Sequence, residues 1–213
     1  MDNSFDITEV AGLRAVIGEE IPGIGDKNVD ALNRFARDFI ARCPFLVLST
    51  SSADGRIDAS PKGDAPGFVH VENDKEIIIP DRPGNKLAYG HLNVLENPHV
   101  GVLMMIPGTR ETLRINGHAR LNADPELLTR LSARDKPATL AIKVEVEEVF
   151  FHCAKAFIRS NLWQPESWGE PHKVSFGEMY AEMRREANQT DADAQATASQ
   201  IDGMIKADYE QNL

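Results

Sequence analysis

Arg82, Asn85 and Lys86 are crowded into residues 77–86, which read I-I-I-P-D-R-P-G-N-K. Two long cations beside an amide suit the grip of an anion such as phosphate, because guanidinium and ammonium groups donate charge-assisted hydrogen bonds. The β-branched run 77–79 predicts a buried strand, stopped at Pro80 and again at Pro83-Gly84. The spacing of Leu87, Val94 and Leu95 predicts a helix over 86–96 with Asn85 as its cap. A helix N-terminus there would add unpaired backbone N–H groups and the positive pole of the helix. A solvated turn before an exposed helix start accounts for the same residues.

A second stretch, Asp58-Ala59-Ser60-Pro61-Lys62, is small and polar where a core strand would be large and apolar. Small side chains let a flat ligand lie against a strand, with Ser60 or the backbone reaching its polar edge. A polar edge strand next to a turn is the alternative, since Pro61 cannot donate inside a central ladder. Thr112 and Arg114 share one face of a strand, where Arg114 needs an anion, a carboxylate or solvent. Arg159, Ser160 and Trp163 fall in K-A-F-I-R-S-N-L-W, whose cation and indole could flank a planar phosphorylated ligand or pack on the surface. His152 and Cys153 are adjacent and point to opposite faces, which argues against a shared metal. His70, His91, His99, His118 and His172 lack motif context and read as structural, and no nucleophile–base arrangement can be argued.

The elements that must hold these residues follow from periodicity. A weak helix over 7–16 ends at I-P-G-I-G-D, and Val29, Leu32, Phe35, Ala36, Phe39 and Ile40 predict an amphipathic helix over 27–42. Strands are expected at 45–51, 56–61, 68–71, 76–79, 100–105, 112–121 and 141–151, with a bulge or close approach at Gly117. Asp124 and Pro125 begin a helix over 124–133. The first four strands, joined by short turns, read as an antiparallel meander, which excludes a doubly wound nucleotide fold. Six or seven such strands close best as a small barrel. Ile201, Met204, Ile205 and Tyr209 give a final helix one apolar stripe, to dock on the barrel or on a partner protomer.

At 213 residues, 42% of them hydrophobic, the chain can bury its core without a disulfide or a structural metal. Thirty-three acidic against 23 basic residues leave a formal charge of −10, which disfavours nucleic acid and anionic membranes. Cys43 and Cys153 have no metal-ligand spacing, and a reduced, cytoplasmic setting fits them. The start M-D-N-S-F-D-I-T-E-V lacks a leader pattern, and no apolar run long enough for a membrane span occurs.

The ordered blocks S-P-K-G-D-A-P-G-F, I-I-P-D-R-P-G-N-K, N-P-H-V-G-V-L, P-G-T-R-E-T-L-R-I-N-G-H-A and H-C-A-K-A-F-I-R-S-N-L-W resemble the FMN-binding split-barrel family typified by pyridoxamine 5'-phosphate oxidase. Within it they look closest to a bacterial oxidase-like branch. The resemblance implies a mainly β fold, a six- to seven-stranded antiparallel Greek-key split barrel over 44–170. Helices over 1–43 would pack on it and a helical extension would follow over 171–213. It places Asp58, Ala59, Ser60, Pro61 and Lys62 along the flavin ring and ribityl chain, with Lys62 available to the phosphate, Ile79 and Pro80 in backbone contact, and Asn85 with Lys86 on the phosphate. Asn85 stands where the family carries Arg, so Arg82 becomes the substitute cation. Thr112 falls where the family often has Gln near the ring, and Arg114 follows on its face. The site is expected at a homodimer interface, with Arg159, Ser160 and Trp163 entering from the other subunit.

The implied activity is that of an FMN-dependent oxidoreductase, with Ser60, Lys62 and Arg114 as donors toward reduced flavin and a small-molecule substrate or electron donor. The short phosphate turn favours FMN over a deazaflavin. The chain lacks the Arg-x-His substrate motif with which authentic pyridoxamine phosphate oxidases end, so the substrate is left unassigned. A flavin or haem binding and storage module without turnover is the alternative, and a barrel that has lost its cofactor is a third reading.

Overall fold

The computed structural model of the protein describes residues 5–183 and 190–212. Residues 1–4 of the expected N-terminal segment, and 184–189 and 213 of the expected C-terminal extension, lie outside the described residues. The strands are β1 (Phe45–Ser51), β2 (Ile57–Gly63), β3 (His70–Asn73), β4 (Glu76–Asp81), β5 (His99–Met105), β6 (Thr112–Asn122) and β7 (Leu140–His152). They form one sheet in the order β2-β1-β5-β6-β7-β4-β3, every adjacent pair antiparallel.

The first four strands are therefore two hairpins at opposite ends of the sheet, which corrects the expected meander. The reason lies in their side chains. Ile77, Ile78 and Ile79 of β4 are fully buried, so β4 needs cover on both faces and a long strand, β7, to pair its backbone, and it takes a place inside the sheet away from β1 and β2. Strand β2 carries little apolar surface and can serve only as an edge. Ile77 and Ile79 join the main core with Leu46, Leu48, Val102, Leu113, Ile115 and Val144. Ile78 points the other way, onto Leu131, Ala138 and Ala141. That outer cluster lies beside α4 (Pro125–Arg130), whose expected start holds: Asp124 Oδ1 accepts from the Glu126 N–H at 2.9 Å, with Pro125 in the first turn.

Pro80 does not stop β4, as the sequence suggested. It pairs with Ala141, and the strand runs on to Asp81. β3 has already ended there, its register reaching only Glu76, Ile77 and Ile78, so a residue without an N–H removes no ladder bond on that open side. Across the gap stands β2, which continues past the expected residue 61 to Gly63. Lys62 Nζ reaches Asp81 Oδ1 at 2.5 Å and Arg82 Nε reaches Asp64 Oδ2 at 2.9 Å. Side-chain ion pairs thus span the place where the barrel's backbone ladder is split.

Helix α1 (Val10–Ile17) precedes α2 (Arg34–Arg42), which is shorter than the predicted 27–42. Asn33 Oδ1 accepts from the N–H groups of Phe35 and Ala36 at 3.0 Å each, while Val29 bridges to Val149, so the residues before Asn33 follow the sheet instead. Helix α3 (Tyr89–Glu96) also starts later than expected. Asn85 Oδ1 accepts from the Leu87 N–H at 3.0 Å, a turn rather than a cap, and Lys86 and Ala88 take left-handed φ values of 61° and 55°.

Helix α5 (Lys155–Ser160) follows β7, and α6 (Phe176–Met183) packs on α7 (Asp191–Asn212). Asp202 accepts from the Gly177 N–H at 2.8 Å and from Ser175 Oγ at 2.7 Å. The expected stripe is only partly covered: Ile201 and Ile205 are half-buried, Met204 and Tyr209 exposed. Among the described residues no helix is long and apolar enough to cross a membrane.

Candidate functional site

The split holds a cleft of about 970 Å³, at the upper end of the range usual for small-molecule sites. Its floor is the inward face of β2, where the two-residue period turns Asp58, Ser60 and Lys62 toward the barrel and leaves Ala59 and Pro61 exposed. Pro80, Asp81 and Arg82 close one side, and Asn85, Lys86, Tyr89, Gly90 and His91 complete the wall. Gly90 lets α3 come close to β2: a Cβ there would sit 3.0 Å from Asp58 Oδ2.

Charges in the cleft are largely paired. Lys62 and Asp81 are 15% and 14% exposed, so their pair is shielded from solvent. Burial alone would raise the Asp81 carboxyl's pKa, but His91, Lys62 and the lysine's charge outweigh it and hold it below the usual carboxylate range. His91 Nε2 lies 3.5 Å from Asp81 Oδ2, and it is buried without a hydrogen-bond partner. Arg82 gives Nε to Asp64 and Nη1 to the Leu131 carbonyl at 3.0 Å, leaving Nη2. Lys86 is exposed at the mouth, and no ion pair ties it down among the described residues.

Asn93 anchors α3 to the sheet. Fully buried, it donates through Nδ2 to Thr50 Oγ1 at 3.0 Å. Asn93→Leu is expected to destabilise the fold by about 1–3 kcal/mol, since Thr50 would lose its partner. Urea unfolding measures it, and a change within error would remove the anchoring role.

Of the residues singled out in the sequence, Asp58, Ser60, Pro61, Lys62, Pro80, Arg82, Asn85 and Lys86 line this one cleft. Ile79 lies behind it in the core, fully buried. Thr112 is buried at 5% exposure, and Arg114 is exposed over the Phe150 ring at 5.8 Å. Burial, then the charges of Arg114 and Lys27, lowers the pKa of neighbouring His152. Trp163 stacks on Phe157 and donates Nε1 to the Thr109 carbonyl at 2.8 Å, while Arg159 and Ser160 are exposed on α5. None of Thr112, Arg114, Arg159, Ser160 and Trp163 lines the cleft. Sequence reasoning missed Asp64, Asp81 and His91. The acids were signalled by K-G-D and D-R, each placing a carboxylate near a cation, whereas His91 carried no local signal.

An antiparallel sheet closed into a barrel that is split at one seam, with a cleft in the seam, defines the split-barrel class. A sequence model of the family described as pyridoxamine 5'-phosphate oxidase matches residues 32–153, more than half of the chain, and the protein belongs to that family. No curated protein matches it. Similar solved structures include HupZ of Group A Streptococcus, at 15% identity and TM-score 0.47 over 58% of this chain and 95% of that one. General stress protein 26 of Bacillus anthracis matches at 16% and 0.42 over 54% and 88%. An FMN-binding protein of Syntrophomonas wolfei matches at 12% and 0.40 over 54% and 86%.

Proposed function

We propose that the protein binds FMN in this cleft and works as an FMN-dependent oxidoreductase on a small-molecule substrate. The observation that carries the reading is the pairing of a small, polar strand face with an unpaired cation, Lys86, at the mouth of the same cleft. The residues fit the cofactor. Lys86 Nζ, Arg82 Nη2 and the Asn85 amide would hold the phosphate, and the β2 face would seat the ring with Ser60 Oγ at its polar edge. Bound FMN supplies hydride or electron transfer. Lys62 places a positive charge at the ring, oriented by Asp81, and the wall formed by α3 limits the access of water. Arg159, Ser160 and Trp163 would enter from a second protomer, and exposed Arg114 would belong to the same interface, with Thr112 buried beneath it. Exposed Val10, Val16 and Ile17 on α1 and exposed Phe35 offer apolar surface for such a homodimer.

The test is the absorbance spectrum and mass of the ligand that co-purifies, followed by FMN titration of the stripped protein. Lys86→Ala is expected to weaken FMN by about 1.5–3 kcal/mol, the worth of one hydrogen bond to a charged group, without altering the melting of the ligand-free protein. Unchanged affinity would remove Lys86 from the phosphate site. A colourless protein that does not quench FMN fluorescence would end the reading.

A further inference from the structure

Away from the cleft, His99 of β5 and His118 of β6 are cross-strand neighbours with their Nε2 atoms 2.9 Å apart. Their ring centroids lie 4.3 Å apart with planes at 64°. What faces the other nitrogens bears on the tautomers. His118 Nδ1 lies 3.1 Å from Glu147 Oε1, within ion-pair distance, and a carboxylate can only accept, so its charge favours the tautomer with the hydrogen on Nδ1. His99 Nδ1 lies 2.8 Å from Asn97 Oδ1. That atom also accepts from the His99 backbone N–H at 3.2 Å, which identifies it as the oxygen, so His99 Nδ1 is a donor too. In those tautomers both Nε2 atoms present lone pairs to each other, and a shared proton or a metal ion between them satisfies both.

The arrangement is built by the sheet. The β6–β7 register shifts between Asn116 and Gly117, leaving Glu147 as the extra residue of the bulge, and Glu147 is the carboxylate aimed at His118. A carboxylate or amide oxygen behind Nδ1, fixing the tautomer and raising the basicity of Nε2, is the arrangement that supports metal-binding histidines. With nitrogen–metal bonds of about 2.0–2.1 Å, the observed separation corresponds to a nitrogen–metal–nitrogen angle of about 90°. Tetragonal ions of the Cu(II) and Ni(II) type take adjacent imidazoles at that angle.

The geometry points to a two-histidine site, His99 and His118, for a late divalent transition ion, with water in the remaining positions. It does not rest on the flavin reading. Among the described residues no group of three or more His, Cys, Asp or Glu is placed to hold a metal, so this pair is a partial, solvent-facing site.

The experiment is titration of the untagged, chelator-stripped full chain with Ni(II) by calorimetry and with Cu(II) by electron paramagnetic resonance. One ion per chain is expected, with hyperfine coupling from two imidazole nitrogens and a rise in melting temperature. His99→Ala and His118→Ala should each abolish the rise and the two-nitrogen signature, while melting normally without metal. Glu147→Gln should weaken binding roughly ten- to a hundredfold. His70→Ala and Cys153→Ser should bind as the parent does. Failure to bind either ion, or binding that survives both histidine variants, would overturn the site and leave a pair that shares a proton only.

Discussion

Asp81→Asn is expected to lower the unfolding free energy by about 3 kcal/mol or more, because it strands the Lys62 ammonium in a shielded site. Lys62 is 15% exposed and has no other ion-pair partner among the described residues. The pair also bridges a seam that no backbone ladder spans, so its loss should loosen the β2 edge first. Lys62→Met combined with Asp81→Leu should regain much of the loss, since apolar groups of similar size impose no stranded charge. The same carboxylate sets an acid limit. Asp81 binds its proton more weakly folded than unfolded, so its stabilisation is fully present above the ordinary carboxylate pKa of about 3.9 and fades as pH falls through the lowered folded value. Urea unfolding of parent and Asp81→Asn at neutral pH and near pH 3 should show the difference narrowing in acid. Equal stability at neutral pH would mean that the pair does not hold the seam.

Gly117→Val should cost about 3 kcal/mol or more, or prevent folding outright. A Cβ at Gly117 would lie 1.9 Å from the Glu145 carbonyl oxygen and 2.9 Å from its carbon, both backbone atoms of the paired strand. No rotamer relieves such a clash, so the bulge between β6 and β7 would have to open. Gly84→Ala is the control: nothing lies within 4 Å of a Cβ there, and its φ is not left-handed. Thermal melting of the two variants side by side decides the matter. A mild Gly117→Val would show that the bulge is not a close-packed feature of the sheet.

Strands were legible wherever a side-chain period and a turn signal agreed. Phe45–Ser51 appears at the expected bounds, and the bulge appears at the glycine that marked it. Boundaries failed where a local hydrogen bond overrode periodicity. Asn33 lies inside one helical pattern and Asn85 before another, but the first caps a helix seven residues shorter than expected at its start, and the second closes a turn. A side-chain amide can do either, and the neighbouring backbone decides which.

Local chemistry alone determined that the chain is a mainly antiparallel β protein and that two separated blocks carry the polar and cationic residues. The family model matches residues 32–153, which contain four of the five blocks. Only the tertiary structure decided that the two hairpins part to opposite ends of the sheet, that Asp81 and Asp64 meet the cations across the resulting seam, and that His99 and His118 face each other. The physical reason is one of range. Periodicity and turn chemistry act over a few residues, whereas pairing partners far apart in sequence are chosen by which faces must be buried and which charges must be matched.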